Sequence, residues 1–230
     1  MDIEMNNRVI KLMVLAGLMA GLGFAEPVKT EQSLKDWTLL FDGKTLNGWN
    51  SWKTKGALEP GAWKVDGGEL VMSGKNGGDV YTAEGYENYE MVIEWKTTGN
   101  SGILFRVDPS HKGAIWNKAP EMQVDKGDPH AKGSTSAGGF YALYDFTGEK
   151  VFYPDDWNHV RVRCMDDHFT IWFNHKQAHD FTVGSDDWNA RVGKSKFSKF
   201  EGFGTLKKGH IGLQDHGHSV RFRNIKIRSL

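Results

Sequence analysis

The chain reads as a succession of short stretches in which apolar and polar residues alternate, and hardly anywhere as a 3.6-residue period. In YEMVIEWKTT, Tyr89, Met91, Ile93 and Trp95 fall on one side and Glu90, Val92, Glu94 and Lys96 on the other, the period of two of a strand with one buried face. WKVDGGELVM sets two such runs around Asp66-Gly67-Gly68, a hairpin signal. SGILFRV, PEMQV, GGFYALYDF, HVRVRC, FTIWFN, HIGLQ and VRFRNIKI continue the series with turn residues between them. Many short strands, together with 28 glycines and 9 tryptophans, predict one antiparallel all-β domain over 37–230. Asp186 to Thr205 has little strand character and is long for a connection, which suggests a functional loop or lid.

The N-terminus has a different pattern. Arg8 and Lys11 precede the apolar run Leu12 to Ala25, and polar residues follow from Glu26. That run is shorter than the roughly 20 residues of a membrane-spanning helix, and Gly23-Phe24-Ala25 sets small residues where a signal peptidase reads. The expectation is a signal peptide over 1–25, a short N-terminal segment of the mature chain over 26–36, and export to the periplasm or the medium. No stable membrane insertion is then expected after cleavage; an uncleaved anchor is the alternative. Asp2 and Glu4 are unusual in a basic leader, and initiation at Met5 would give a cleaner one.

Charge and cysteine content narrow the classes further. Lys+Arg and Asp+Glu are both 29, which argues against a nucleic-acid partner, since a phosphate-backbone binder needs a basic surplus. The lysines Lys194, Lys196 and Lys199 read as solvated. Cys164 is the sole cysteine, so the fold has no internal disulfide. It shares a strand parity with Val160 and Val162, as a buried structural thiol would.

Candidate chemistry begins at PEMQVDKGDPH. As a strand it would turn Glu121, Gln123 and Asp125 to one face and Met122 and Val124 to the other. Glu121 and Asp125 would then be about 13 Å apart at the backbone. A pair of glycosidase carboxyls is separated by about 5–5.5 Å for retention or about 6.5–9.5 Å for inversion. Gln123, between them, cannot exchange protons, so this strand alone does not make a two-carboxylate glycosidase. In GHIGLQDHGHS, His210, Gln214, His216 and His218 share a parity if the strand is unbroken, although Gly217 is placed to break it. His216 suits a base or a metal ligand. With His218 and Glu121 or Asp125 it would suit a divalent metal. Arg106 in GILFRV falls opposite Ile103 and Phe105, where a guanidinium would bind a sugar oxygen or a developing oxyanion, or form a surface ion pair. Tyr141, Tyr144 and Asp145 add polar rims. Trp49, Trp52, Trp116, Trp157 and Trp188 occupy loop-like contexts suited to stacking on a sugar ring, whereas Trp63, Trp95 and Trp172 are assigned to the core.

Several of these stretches, FDGKTLNGW, NSGILFR, EMQVD, GGFYALYDF, DDWNHVRV, FNHKQ, SKF and GHIGLQDHG followed by VRFRNIKI, resemble the 3-keto-disaccharide hydrolase domain family over essentially all of 37–230. The resemblance implies a concanavalin A-like jelly-roll β-sandwich of two antiparallel sheets. It also implies cleavage of glycosides whose ring carries a ketone at C3, a carbohydrate substrate supplied by a separate sugar 3-dehydrogenase. It puts Glu121, Gln123 and Asp125 on the concave face, with Arg106, Gln214 and His216 across from them. Glu121, His216 and Arg106 become the catalytic candidates. Gln123, Asp125, Tyr144, Asp145, Gln214 and Trp116 become the substrate-binding ones. One departure is His175, where the family usually shows glycine after the asparagine of a hairpin turn. A C3 ketone acidifies the C2 hydrogen, so Glu121 or His216 would abstract it, the C1 substituent would leave, and water would add; Arg106 or a metal would stabilise the enolate. The rivals are a lectin-like binding module of the same fold and an ordinary endoglucanase, which Gln123 opposes.

Overall fold

The computed structural model describes residues 36–74 and 76–230. The signal peptide read over 1–25, its cleavage after Ala25, and residues 26–35 lie outside these. Among the described residues, no helix is long and apolar enough to cross a membrane.

Among the described residues the alternating stretches form thirteen strands: β1 (Thr38–Leu39), β2 (Trp49–Ser51), β3 (Trp63–Asp66), β4 (Glu69–Ser73), β5 (Val80–Thr82), β6 (Tyr89–Thr97), β7 (Ser101–Val107), β8 (Glu121–Val124), β9 (Asn158–Met165), β10 (His168–Phe173), β11 (Lys176–Thr182), β12 (His210–Leu213) and β13 (Ser219–Ser229). They build two antiparallel sheets. The larger runs β11-β10-β9-β6-β13-β4-β3, with β1 on β13, and the smaller runs β2-β5-β12-β7-β8. The chain is an all-β sandwich, as its periodicity predicts.

The core lies between the sheets, where the period of two delivers one face of each strand. Met91, Ile93 and Trp95 of β6, Val160, Val162 and Cys164 of β9, and Phe169, Ile171 and Phe173 of β10 are all buried there. The smaller sheet answers with Ile103 and Phe105 of β7, Met122 and Val124 of β8, and Ile211 and Leu213 of β12. Phe105 stacks on Phe140 at 6.2 Å and meets Phe169 edge-on at 5.8 Å. The β3–β4 hairpin closes through Gly67 and Gly68, both at positive φ, the two-residue turn whose twist matches the strands. The β10–β11 turn uses Asn174 and His175, at φ 45° and 67°, so His175 occupies a left-handed position where glycine is cheaper.

One expectation about an element fails. GGFYALYDF is not a strand: Gly138 and Ala142 are left-handed, and only Phe140 and Tyr144 bridge. The stretch winds as turns over β8, with the Tyr141 N–H donating to the Glu121 carbonyl at 2.8 Å. The long connection over 186–205, read as having little strand character, has none and contains a helix, α1 (Asp186–Lys194). The Ser185 hydroxyl caps it by accepting from the Trp188 N–H at 3.2 Å. Asp186 and Asp187 lie in its first turn and Arg191 and Lys194 in its last, charges that suit the helix dipole. A 3-10 turn follows over Lys196–Lys199. Nine residues with a single buried side chain, Trp188, are too few to leave a readable helical period.

Candidate active site

The outer face of the smaller sheet carries the alternate residues. Leu104 and Val107 of β7, Tyr81 of β5, Ile115 and Ala119 form a small apolar cluster on it, with Trp52 and Trp116 packed alongside. Beside that cluster opens a cavity of about 210 Å³ lined by Asn100, Trp116, Glu121, Gln123, Tyr141, Lys196, Gln214 and His216. It is smaller than the roughly 300–1,000 Å³ of drug-sized sites.

Glu121 is its one carboxylate among the described residues. Its side chain projects over Gly102 of β7: a Cβ at that position would lie 2.3 Å from Glu121 Oε1 and 2.6 Å from its Cδ. A strand interior otherwise disfavours glycine; here the missing side chain makes the space that the carboxyl occupies. Glu121 is 6% exposed. Burial pushes its pKa up to about 8; the positive charge of Lys196 opposes the rise and the negative charge of Asp79 adds to it. Asp79 is itself pushed up to about 6 by burial, against the Asp215 N–H that donates to its Oδ1 at 2.9 Å.

The two glutamines supply directional groups. Gln123 Nε2 donates to Asn100 Oδ1 at 3.1 Å, while Gln123 Oε1 is buried without a partner. Gln214 is tied down by its backbone, its N–H donating to Gly102 O at 3.0 Å and its carbonyl accepting from Ser101 Oγ at 2.7 Å. Its side-chain Oε1 is likewise buried and unpartnered. Two orphan acceptors in one cavity are costly unless a ligand donates to them, and sugar hydroxyls are suitable donors. Beyond Gln214 the strand ends. His216 follows at the exposed mouth, its ring parallel to that of His218 at 6.3 Å.

Residues 36–228 match the family described as the 3-keto-alpha-glucoside-1,2-lyase-like domain. The chain belongs to that family. A 3-keto-disaccharide hydrolase of Bacteroides thetaiotaomicron is 29% identical over 228 residues, covering 83% of this chain and 77% of the relative. A crystal structure from Parabacteroides distasonis, assigned to the glycosyl hydrolases, is 31% identical with a TM-score of 0.78, covering 88% of this chain and 98% of its own. A carbohydrate binding module of Bacillus subtilis shares the fold at 15% identity and a TM-score of 0.50, over 81% of this chain and 98% of its own. As a member of the lyase-like family, the chain is a glycoside-cleaving enzyme of hydrolase or lyase type.

Within this family member the sequence candidates divide. Glu121, Gln123, Gln214, His216 and Trp116 converge on one cavity. Arg106 does not. An extra residue on β7 shifts its ladder to β12 between His210↔Val107 and Gly212↔Leu104, and Arg106 takes a left-handed φ of 55°. This bulge reverses the parity, so the guanidinium goes to the same side as Phe105. There it donates to Asp167 Oδ1 at 2.7 Å and Gly204 O at 3.1 Å and lies over the Phe169 ring. Asp125 lies one residue past the end of β8 and outside the cavity lining. Tyr144 also lies outside it, stacked on Phe181 at 4.7 Å with its hydroxyl donating to Asp187 at 2.9 Å. The Asp145 carboxylate is exposed and accepts from the Ser134 N–H at 2.7 Å.

Trp49 and Trp188 are core residues at 1% exposure each, not sugar platforms. Trp172, assigned to the core, lies half-buried under the Arg161 guanidinium at 4.5 Å. His210 is held at the far end of β12 by Thr82 O at 2.7 Å. The residues missed by sequence reasoning are Asn100, held at the β6–β7 turn, and Lys196. The Asn-Ser-Gly that leads into β7 hints at the first; the SKF stretch contains Lys196 but recurs at 198–200, and Lys194, Lys196 and Lys199 are all exposed, as their solvated reading expects.

A divalent metal held by His216, His218 and Glu121 or Asp125 finds no such set: among the described residues, no three His, Cys, Asp or Glu side chains gather as metal ligands.

Proposed function

We propose that the chain cleaves glycosides carrying a ketone at C3, by abstraction of the C2 proton, loss of the C1 substituent and addition of water. The observation that carries this reading is the solitary, buried Glu121: it is the only carboxylate lining the cavity among the described residues. Direct displacement at C1 uses two flanking carboxylates, whereas an elimination needs one base and a means of stabilising an enolate. A carboxyl with a pKa of about 8 is a far stronger base than an ordinary glutamate once ionised, matched to a carbon acid next to a carbonyl.

In the sequence of steps, ionised Glu121 takes the C2 hydrogen and the C2–H electrons form the C2=C3 enolate. Re-formation of the C3 ketone expels the C1 oxygen, which takes up a proton at the cavity mouth from His216 or water. The product is an enone sugar and the free alcohol. Water then adds across C1=C2, its oxygen to C1, while Glu121, whose carboxyl has meanwhile exchanged its proton with water, delivers a solvent proton to C2. The Oε1 atoms of Gln123 and Gln214 accept from ring hydroxyls, and the Trp116 and Tyr141 rings close the sides. Such a substrate requires a separate oxidation at C3, by a sugar 3-dehydrogenase. The apolar leader before Glu26 supports action outside the cytoplasm.

The test is turnover of a 3-keto-glucoside beside its unoxidised parent, with deuterium at C2. Wild type is expected to cleave only the keto compound and to lose the label to water. Glu121→Gln is expected to lower kcat by about 10²–10⁴-fold. Full retention of deuterium during turnover would replace elimination by displacement. Sugar binding with no cleavage of either compound would favour the binding-module reading.

A further inference from the structure

The cavity pairs Glu121 with one lysine side chain, and that side chain comes from a segment with no strand character. Lys196 is the only lysine or arginine lining the cavity among the described residues. It opens the 3-10 turn after α1, and its neighbours fix its place. The Ser195 hydroxyl accepts from the Phe197 N–H at 3.1 Å. Phe197, 2% exposed, stacks on Phe203 at 4.1 Å. Phe200, at the end of the same turn, meets Trp116 edge-on at 5.8 Å. The Lys196 ammonium lies 4.2 Å from the Tyr141 ring centre and 4.9 Å from that of Trp116, two rings that also line the cavity.

Aromatic faces attract a cation without neutralising it. Among the described residues Lys196 is in no ion pair, whereas Arg106, the other candidate for this task, is committed to Asp167. An ammonium held against rings, unpaired and facing a cavity, is available to a charge that appears there during reaction.

We infer that Lys196 is the group that stabilises the negative charge developing on the C3 oxygen of the substrate. This rests on the elimination reading above and assigns its missing electrophile. As Glu121 removes the C2 proton, the electron pair moves through C2=C3 onto the C3 oxygen, and the Lys196 ammonium pairs with that oxygen. When the C1–O bond breaks the pair returns and the oxygen is a ketone again; Lys196 gains and loses nothing. An ammonium preorganised beside a developing oxyanion acts chiefly in the transition state, so its loss is expected in kcat rather than KM.

The experiment compares wild type, Lys196→Met, Lys196→Arg and Lys194→Met on a C2-deuterated 3-keto-glucoside, following cleavage, loss of label and the pH profile of kcat/KM. Lys196→Met is expected to lower kcat and C2 exchange together by about 10²–10³-fold with KM changed little, Lys196→Arg to restore part of the rate, and Lys194→Met to match wild type. Because the lysine charge holds Glu121 down, the inflection near pH 8 is also expected to move upward in Lys196→Met and to return in Lys196→Arg. A purely structural lysine would move neither the inflection nor exchange selectively. C2 exchange in Lys196→Met within about threefold of wild type, or a loss confined to KM, would overturn the assignment while leaving elimination standing. Wild-type turnover with all label retained would overturn elimination, and this role with it.

Discussion

Two buried glutamates on opposite outer faces of the sandwich show how little burial alone decides. Glu90 of β6, on the outer face of the larger sheet, is 4% exposed, and Glu121 of β8, on the outer face of the smaller one, is 6% exposed. Desolvation pushes both carboxyls up. For Glu90 the push is overcome by hydrogen bonds and charge from Arg228 and Arg161, and its pKa falls below the ordinary value. Arg228 Nε donates to it at 3.0 Å, and Arg161 reaches its other oxygen. Glu121 is opposed by the charge of Lys196 alone, with no hydrogen bond from it, and its pKa rises to about 8. The first glutamate is part of a lattice in which Arg223 pairs with Glu94 and Arg221 with Glu69. The second is left without a neutralising partner. A paired carboxylate suits a structural role; one kept buried and unpaired has the properties that the proposed proton transfer needs.

The contrast can be broken in steps. The largest effect is expected from Gly102→Ala, which puts a methyl where the Glu121 carboxyl lies and displaces it from the reacting carbon. We expect kcat to fall by about 10²-fold with the fold intact by circular dichroism; activity within threefold of wild type would show that the carboxyl position is not critical. Next is stability at high pH. A carboxyl whose folded pKa is raised contributes stability that is full below its unfolded value, 4.5, and lost as the pH rises through about 8. Glu121→Gln is therefore expected to be more stable than wild type at pH 9, by an increment that shrinks towards pH 6, as read by urea denaturation at both pH values.

Glu90→Gln should do the opposite. The depressed pKa of Glu90 adds stability above its unfolded value, 4.5, that is lost as the pH falls through the lower folded value. Its arginines are partly exposed, 43% for Arg161 and 27% for Arg228, so the expected loss at pH 7 is only about 1–2 kcal/mol, with kcat unchanged. A turnover loss in Glu90→Gln would mean that the two faces are coupled. The smallest expected effect is His175→Gly, which relieves a left-handed residue in the β10–β11 turn and should add roughly 0.5–1 kcal/mol. Its ring contact with His159 at 4.7 Å sets a limit on that gain, and a net loss in thermal melting would show that the contact outweighs the strain.

Much of this was legible along the chain. The period of two in β6 and β9 is a local property of the residues, and it named the buried face correctly, Cys164 included, whereas in β10 Trp172 was assigned to the core and lies on the other face. It also brought Glu121 and Gln123 to the outer face, because β8 is regular from end to end. Legibility fails where one residue interrupts the period. Arg106 sits in a bulge, and a single left-handed residue turned an expected surface guanidinium into a buried ion pair. Asp125 sits one position past the strand end, where parity no longer says which way a side chain points. Tyr144 and Asp145 were placed by a period that the turns of 138–146 do not have.

By itself, then, the sequence determined the sandwich, its buried face and the family, since these follow from alternation and from contiguous motifs. Only the tertiary structure decided the chemistry of the cavity. Gly102 leaves room for a carboxyl from another strand. Lys196 arrives from a helical connection some 75 residues beyond Glu121 in number. The pKa of Glu121 follows from how much water and how little positive charge surround it. Each is a relation between residues distant along the chain, and no local period encodes it.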